Sequence, residues 1–292
     1  RGNVPWASPI KNRPKGNWPL ALPPSPLAPS SFPELPAIAG VTLRTARAGY
    51  TRRQRFDMTY AELSEGTTVA GVFTKSRCPS YEVQLGKETA LLGHARALIV
   101  NAGNSNAFTG LSGREAVETI IARVAHHLGC QPSDVFVSST GVIGVPLPID
   151  KAEAGLAEVF TAQPCGWVDA ATAIGTTDTF PKGASASAVI GDATVQLAGI
   201  VKGSGMIAPD MATMLGYIFT DAAIEAPFLK EMLDRANART FNAITVDGDT
   251  STSDTVLVFA TGQIGGPALS DWDDDGADAF YAALEEVCRS LA

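Results

Sequence analysis

The sequence predicts a mixed α/β domain from Gly40 to the end of the chain, and three observations carry that reading. Short runs rich in β-branched and apolar residues alternate with stretches whose apolar residues recur every three or four positions. Gly, Asn and Thr punctuate the junctions. The hydrophobic share, 45% of 292 residues, is enough to bury a sizeable core as one large domain or two smaller ones.

Taken in chain order, residues 1–36 stand apart, being rich in proline and without apolar periodicity. They are expected to form an extended, disordered leader, with a proline-rich recognition segment as the alternative. Strands are expected at residues 68–74 and 97–101, each a β-branched or apolar run bounded by turn formers. Ser112-Gly113-Arg114-Glu115 then opens a helix whose Ala116, Ile120, Val124 and Leu128 share one face, with Gly129 as its C-cap. A strand follows at 135–138 and a helix at 150–160. Strands at 194–201 and 215–220, a helix over 226–236, a strand at 255–261 and a last helix over 277–291 complete the series. Asp271-Trp272-Asp273-Asp274-Asp275-Gly276, before that helix, reads as a solvated turn, since its acidic spacing does not match an EF-hand.

Charge and composition exclude several function classes. A net charge of −8, with no basic cluster interleaved with aromatics, argues against a nucleic-acid surface. No apolar run approaches the length of a membrane span, and the first residues lack a signal-peptide pattern. Cys78, Cys130, Cys165 and Cys288 lie far apart without C-x-x-C spacing, which signals neither a zinc site nor a disulfide framework and fits a cytoplasmic protein.

Only His94, His126 and His127 are present, so a histidine-based triad has few members to draw on. His126 and His127 fall in the last turn of an expected helix, where positive charge complements the macrodipole. Pairing them with Cys130 as metal ligands is disfavoured, because adjacent helical residues point in different directions. Scarce histidine draws attention to Lys202-Gly203-Ser204-Gly205-Met206-Ile207-Ala208-Pro209-Asp210-Met211-Ala212-Thr213-Met214-Leu215, which sets a threonine between a glycine-rich approach and an apolar strand. A threonine hydroxyl is a poor nucleophile without a base. Cleavage of the backbone before Thr213 would supply one, because the freed α-amine titrates near neutrality. Gly203 and Gly205 permit the unusual backbone that an N-to-O acyl shift needs, and Ala212 leaves its carbonyl accessible. The alternative is a glycine turn leading into a buried strand, with an ordinary Thr.

Three further segments have two readings each. In Val137-Ser138-Ser139-Thr140-Gly141-Val142-Ile143-Gly144 the Thr140 hydroxyl and the Gly141 N–H can stabilise an oxyanion, or the segment is a plain strand-to-turn junction. Ala173-Ile174-Gly175-Thr176-Thr177-Asp178-Thr179-Phe180-Pro181-Lys182, dense in hydroxyls, and Asn101-Ala102-Gly103-Asn104-Ser105-Asn106-Ala107, dense in amides, either line a polar pocket or cap backbone groups in turns. Residues 244–255 are too acidic for a phosphate cradle and lack the Walker lysine.

Taken jointly, Gly71-Val72-Phe73-Thr74, the 101–107 segment, Ser139-Thr140-Gly141-Val142-Ile143-Gly144, Thr176-Thr177-Asp178-Thr179-Phe180-Pro181-Lys182, the 202–215 run and Asp247-Gly248-Asp249-Thr250-Ser251-Thr252 resemble the bifunctional ornithine acetyltransferase / glutamate N-acetyltransferase (ArgJ) family over residues 40–292. The resemblance implies an enzyme of arginine biosynthesis that moves acetyl from N-acetyl-L-ornithine to L-glutamate, giving ornithine and N-acetylglutamate, and in some members uses acetyl-CoA as donor. It implies an αββα sandwich of the ornithine acetyltransferase or DmpA-like type with a smaller C-terminal domain, made as a self-cleaving N-terminal-nucleophile precursor.

By motif, the cut falls between Ala212 and Thr213, dividing an α-chain part, 37–212, from a β-chain part, 213–292. Thr213 then matches the nucleophile with its own α-amine as base, Thr140 and Gly141 the oxyanion pair, and Thr176, Lys202 and Thr213 the substrate-binding positions. Lys202 either binds an α-carboxylate or lowers the pKa of the nearby amine. No metal, prosthetic group or other cofactor is implied, and the α and β chains are expected to assemble as a heterotetramer.

Family members continue through a DGEGATK-like segment with a substrate-contacting Glu and, later, an Asn and a Ser or Thr; the chain stops before them and is expected to be a fragment or an incomplete gene product. The rivals are a related N-terminal-nucleophile amidase or aminopeptidase, and an inactive fragment acting as a structural module.

Overall fold

The computed structural model describes residues 23–26, 28–51, 54–207 and 214–292, so Ala212, Thr213 and the expected cut between them lie outside the described residues. The first half of the chain runs β1 (Val41–Ala46), β2 (Met58–Leu63), β3 (Thr68–Phe73), α1 (Tyr81–Ala90), β4 (Ala97–Asn104), α2 (Gly110–Leu128), β5 (Val135–Val142) and α3 (Ile149–Thr161). The second half continues with α4 (Trp167–Ile174), β6 (Lys182–Ile190), β7 (Ala193–Lys202), β8 (Leu215–Thr220), α5 (Ala226–Arg239), β9 (Thr255–Ala260) and α6 (Ala277–Leu291).

Two sheets result, one ordered β1-β2-β4-β5 and the other β3-β9-β8-β7-β6. Strand periodicity explains how they stack. In β8, Leu215, Tyr217 and Phe219 point one way and Ile218 the other, and all are buried; β9 repeats this with Leu257 and Phe259 against Val256 and Val258. Leu215, Tyr217, Phe219, Leu257 and Phe259 meet Leu43, Leu63, Leu98, Val100 and Phe136 of the other sheet in one shared core. The opposite faces are each covered by helices, α2 and α3 over Tyr60, Ile99 and Val137, and α5 and α6 over Leu197, Ile218 and Val258. Four layers, αββα, are therefore the fold, and strands buried on both faces read in sequence as continuous apolar runs.

The helix boundaries have local causes. Gly129 ends α2 at φ +66°, and its N–H bonds back to the Ala125 carbonyl, as its C-cap role requires. Asp274 accepts from the backbone N–H groups of Ser270 at 2.5 Å and Asp271 at 3.1 Å, so the acidic run before α6 is a solvated turn. Of the expected disordered leader, residues 1–22 and Leu27 lie outside the described residues. Phe32 and Leu35 pack against the inter-sheet core, and the Pro36 carbonyl accepts from the Trp167 indole at 2.9 Å, so the last part of that segment is docked on the domain.

Candidate functional site

Strand parity carries Thr140 and Lys202 into the space between the sheets. Phe136, Ser138 and Thr140 alternate on one face of β5, and Ala198, Ile200 and Lys202 on one face of β7; Phe136, Ala198 and Ile200 lie in the inter-sheet core. At the strand ends the apolar series gives way to polar residues, and Lys202 Nζ donates to Thr140 Oγ1 at 3.0 Å. Lys202 is 3% exposed, so an ammonium sits where burial disfavours it and pushes its pKa down, while Asp178 and Asp254 oppose that shift.

Asp178 organises the neighbouring turn. Its Oδ1 accepts from Lys182 Nζ at 2.6 Å and from the Gly203 N–H at 2.8 Å, and Oδ2 from the Thr176 N–H at 3.1 Å. Burial pushes this carboxyl upward, but Lys182, Lys202 and the Gly203 bond outweigh it and hold Asp178 below the usual carboxylate range. Thr176, half-buried, is thereby fixed beside Lys202 through its backbone, and the Thr177 and Ser204 hydroxyls join the two loops at 2.8 Å. Thr140, Gly141, Thr176 and Lys202 thus converge.

Gly141 has a geometric reason for being glycine. Its φ is +135°, and a Cβ there would stand 2.3 Å from the Gly103 carbonyl carbon and 2.7 Å from the Asn104 nitrogen. Residues 101–107 are used as scaffold on the helix-facing side. Ser139 Oγ donates to Asn101 Oδ1 at 2.7 Å, Asn104 Oδ1 accepts the Asn106 N–H at 2.7 Å, and Asn106 Nδ2 reaches the Gly113 carbonyl at 3.0 Å. The turn-capping reading of that segment holds, and its side chains brace the end of β5 that carries Thr140 and Gly141. His127 stacks on Phe160 with centroids 3.9 Å apart, and His94 pairs with Asp134 at 2.7 Å, both packing roles.

The acidic loop 244–254 grips both flanks of the undescribed segment 208–213. Asp247 accepts the Met206 and Ile207 N–H groups at 2.5 and 2.9 Å, and the Val246 N–H and Thr245 hydroxyl donate to the Ile207 carbonyl at 2.7 and 2.9 Å. On the far flank Asp254 Oδ1 accepts the Met214 N–H at 2.8 Å, and the Thr255 N–H returns to the Met214 carbonyl at 3.0 Å. Burial raises the Asp254 carboxyl to about 7 against the pull of the Met214 bond and Lys202. Sequence reasoning noted the acidity of this loop but assigned it no role, and missed Asp178 as a hub. The available signal was the density of carboxylates beside two buried strand ends.

A cavity of 660 Å³ between α1, β3 and α5 is lined by Val72, Phe73, Leu91, Lys230 and Asn237, and by none of the converging residues. A second buried carboxyl, Glu82 on α1, is raised by burial to about 7 despite the Asn106 hydrogen bond. Its proton is retained in the folded state while the unfolded chain ionises, so its contribution falls as pH rises from about 4.5 to 7. At about 1.4 kcal/mol per tenfold change in proton affinity, this is about 3 kcal/mol. Glu82→Gln is therefore expected to match the wild type in denaturant unfolding at pH 4.5 and to exceed it by up to about 3 kcal/mol at pH 8; parallel stability curves would contradict this.

Residues 42–292 match the ArgJ family model. The arginine biosynthesis bifunctional protein ArgJ of Zymomonas mobilis is 57% identical over 268 residues, spanning 92% of this chain and 66% of that protein. The chain thus spans about two-thirds of the length of the curated relatives it matches. Among solved structures, ArgJ from Bacillus halodurans superposes with a TM-score of 0.54 at 31% identity, covering 60% of this chain and 92% of that one. The ornithine acetyltransferase of Mycobacterium tuberculosis, solved with ornithine, gives 0.51 at 30% identity, covering 59% and 93%.

Proposed function

This chain belongs to the ArgJ family, and from that premise we propose that it is an acetyltransferase of arginine biosynthesis, carrying acetyl from N-acetyl-L-ornithine to L-glutamate through an ester on Thr213. Maturation comes first. The Thr213 hydroxyl attacks the Ala212 carbonyl carbon, the peptide bond becomes an ester, and water hydrolyses the ester to leave a free α-amine on Thr213. That amine then takes the hydroxyl proton as the oxygen attacks the acetyl carbonyl. The oxyanion is held by the Thr140 hydroxyl and the Gly141 N–H, ornithine departs with a proton, and the glutamate amine attacks the acetyl ester in turn.

The observation that supports this reading most is the bond from Lys202 Nζ to Thr140 Oγ1. An ammonium has only donors, so it occupies a lone pair of the hydroxyl and leaves the Thr140 proton free to donate to an oxyanion. The buried charge behind Thr140 polarises the hydroxyl at the point where negative charge develops. On this account Lys202 acts through Thr140 as well as beside the substrate, with Thr176 completing the binding positions. The Mycobacterium tuberculosis relative solved with ornithine supports ornithine as the leaving product. The reading extends to acetyl-CoA as a second donor, to α and β chains paired as a heterotetramer, and to a cytoplasmic setting; among the described residues no helix is long and apolar enough to cross a membrane.

Supplying N-acetyl-L-ornithine and L-glutamate together tests the proposal. N-acetylglutamate should form with ping-pong kinetics, and omitting glutamate should stop turnover at an acetylated β chain. Steady release of free acetate, unaffected by glutamate, would replace the transferase by a hydrolase.

A further inference from the structure

Glu82, in the first turn of α1, is buried with only Oε2 paired, accepting from the Asn106 amide at 3.3 Å. Its Oε1 and the nearby Ser80 hydroxyl have no hydrogen-bond partner among the described residues. A carboxyl so placed weighs against stability once the unfolded chain can ionise, and its presence calls for an explanation.

The surroundings supply one. Ser80 and Ser139 of β5 lie beside the carboxyl, and the Tyr217 hydroxyl of β8 is near enough to feel its charge. Asn106 stands at φ +51°, in the left-handed region, where its amide bonds to Glu82 and to the Gly113 carbonyl hold it. From Asn106 the bonds run toward the end of β5. Its N–H donates to Asn104 Oδ1 at 2.7 Å, and Asn104 Nδ2 donates to the Val145 carbonyl at 2.9 Å. The Ser105 N–H and hydroxyl both reach the Val142 carbonyl, at 3.0 and 2.9 Å, and Gly141 lies against the Gly103 and Asn104 backbone.

We propose that Glu82 is a positioning residue for the oxyanion pair: by accepting the Asn106 amide it fixes residues 103–106, and through them the Gly141 N–H and the Thr140 hydroxyl. The inference rests on the oxyanion role proposed above for those two groups and adds a residue behind them. Glu82 touches no reacting atom, and no bond to it forms or breaks. Either protonation state of the carboxyl accepts from Asn106, and so does a Gln amide; a Leu does not.

The ornithine burst tests this. With saturating N-acetyl-L-ornithine and no glutamate, each competent chain should release one ornithine, so the amplitude counts competent chains and the rate constant reports acetylation alone. Glu82→Leu should slow the burst about tenfold at an unchanged half-saturating concentration, while Glu82→Gln stays within about twofold of wild type. A reduced amplitude at the wild-type rate constant would make Glu82 merely structural and overturn the proposal, as would an E82Q burst slowed as much as that of E82L. Should E82L give no burst, the same bond is tested from its other end. Asn106→Asp removes the donor at constant size, and in the E82Q/N106D double variant the Gln amide supplies it from the opposite side. A burst faster in the double variant than in N106D supports the positioning role, and no recovery overturns it. A wild-type protein without a burst removes the parent reading instead.

Discussion

Asp178→Ala is expected to destabilise the protein by about 3–5 kcal/mol, a loss typical of removing one partner from a buried ion pair. Asp178 is 2% exposed and satisfies Lys182 Nζ, the Gly203 N–H and the Thr176 N–H with two oxygens. Without it Lys202 keeps, among the described residues, only Asp254 as a nearby counter-charge, and burial already drives Asp254 toward its neutral form. Two backbone donors lose their acceptor at the same time, and the turn that presents Thr176 loses its tie to the end of β7. Because the folded-state pKa of Asp178 is depressed, its stabilisation is present above the ordinary aspartate range and is lost as pH falls through the folded value. Denaturant unfolding at pH 7 should show the full difference, which should shrink on acidification; a D178A protein within about 1 kcal/mol of wild type at pH 7 would contradict the hub assigned to this residue.

Thr140→Ala is expected to lower kcat about 10²–10³-fold, close to 3–4 kcal/mol of transition-state stabilisation, with little change in KM. On the proposed mechanism the hydroxyl donates only when the acetyl carbonyl becomes an oxyanion, so its loss falls on the chemical step. Removing it also strips Lys202 of its hydrogen-bonded partner, and a buried ammonium with an unmet donor should lose part of its charge. Thr140→Ser keeps the hydroxyl and should recover most of the rate. Steady-state kinetics of the three proteins decide the matter: a T140A enzyme within about tenfold of wild type in kcat would show that the Gly141 N–H needs no second donor.

The fold was legible where burial leaves a strong periodic trace. The strand at 215–220 and the helix over 277–291 were expected at the bounds found for β8 and α6, and five other strands were expected within a few residues. β4 and β5 run on to Asn104 and Val142 because the polar, glycine-containing ends of those strands still pair, although their composition reads as turn. β6, with Ala and Ser in alternation, was not expected: its packing relies on small residues, and Gly183 lies against Phe32 and Leu35 from far earlier in the chain. α1 was missed for a related reason, as its Gly86 is placed by close contact with the Phe73 ring and not by helix propensity.

At the site, Thr140, Gly141, Thr176 and Lys202 could be singled out through motif resemblance. That Lys202 reaches Thr140 could not, because the two stand on different sheets and meet only through strand parity across the core. Asp178 and Asp254 were present in the quoted segments, yet nothing local distinguishes a buried carboxylate from a solvated one; burial is a property of the assembled layers.

N-terminal sequencing of the purified protein, alongside intact mass, bears most directly on the central claim that Thr213 becomes a chain terminus and uses its own amine. The account predicts a polypeptide beginning Thr213-Met214-Leu215-Gly216, absent from a Thr213→Ala variant that remains one uncut chain. A folded wild-type protein that stays whole, indistinguishable from T213A, would contradict it.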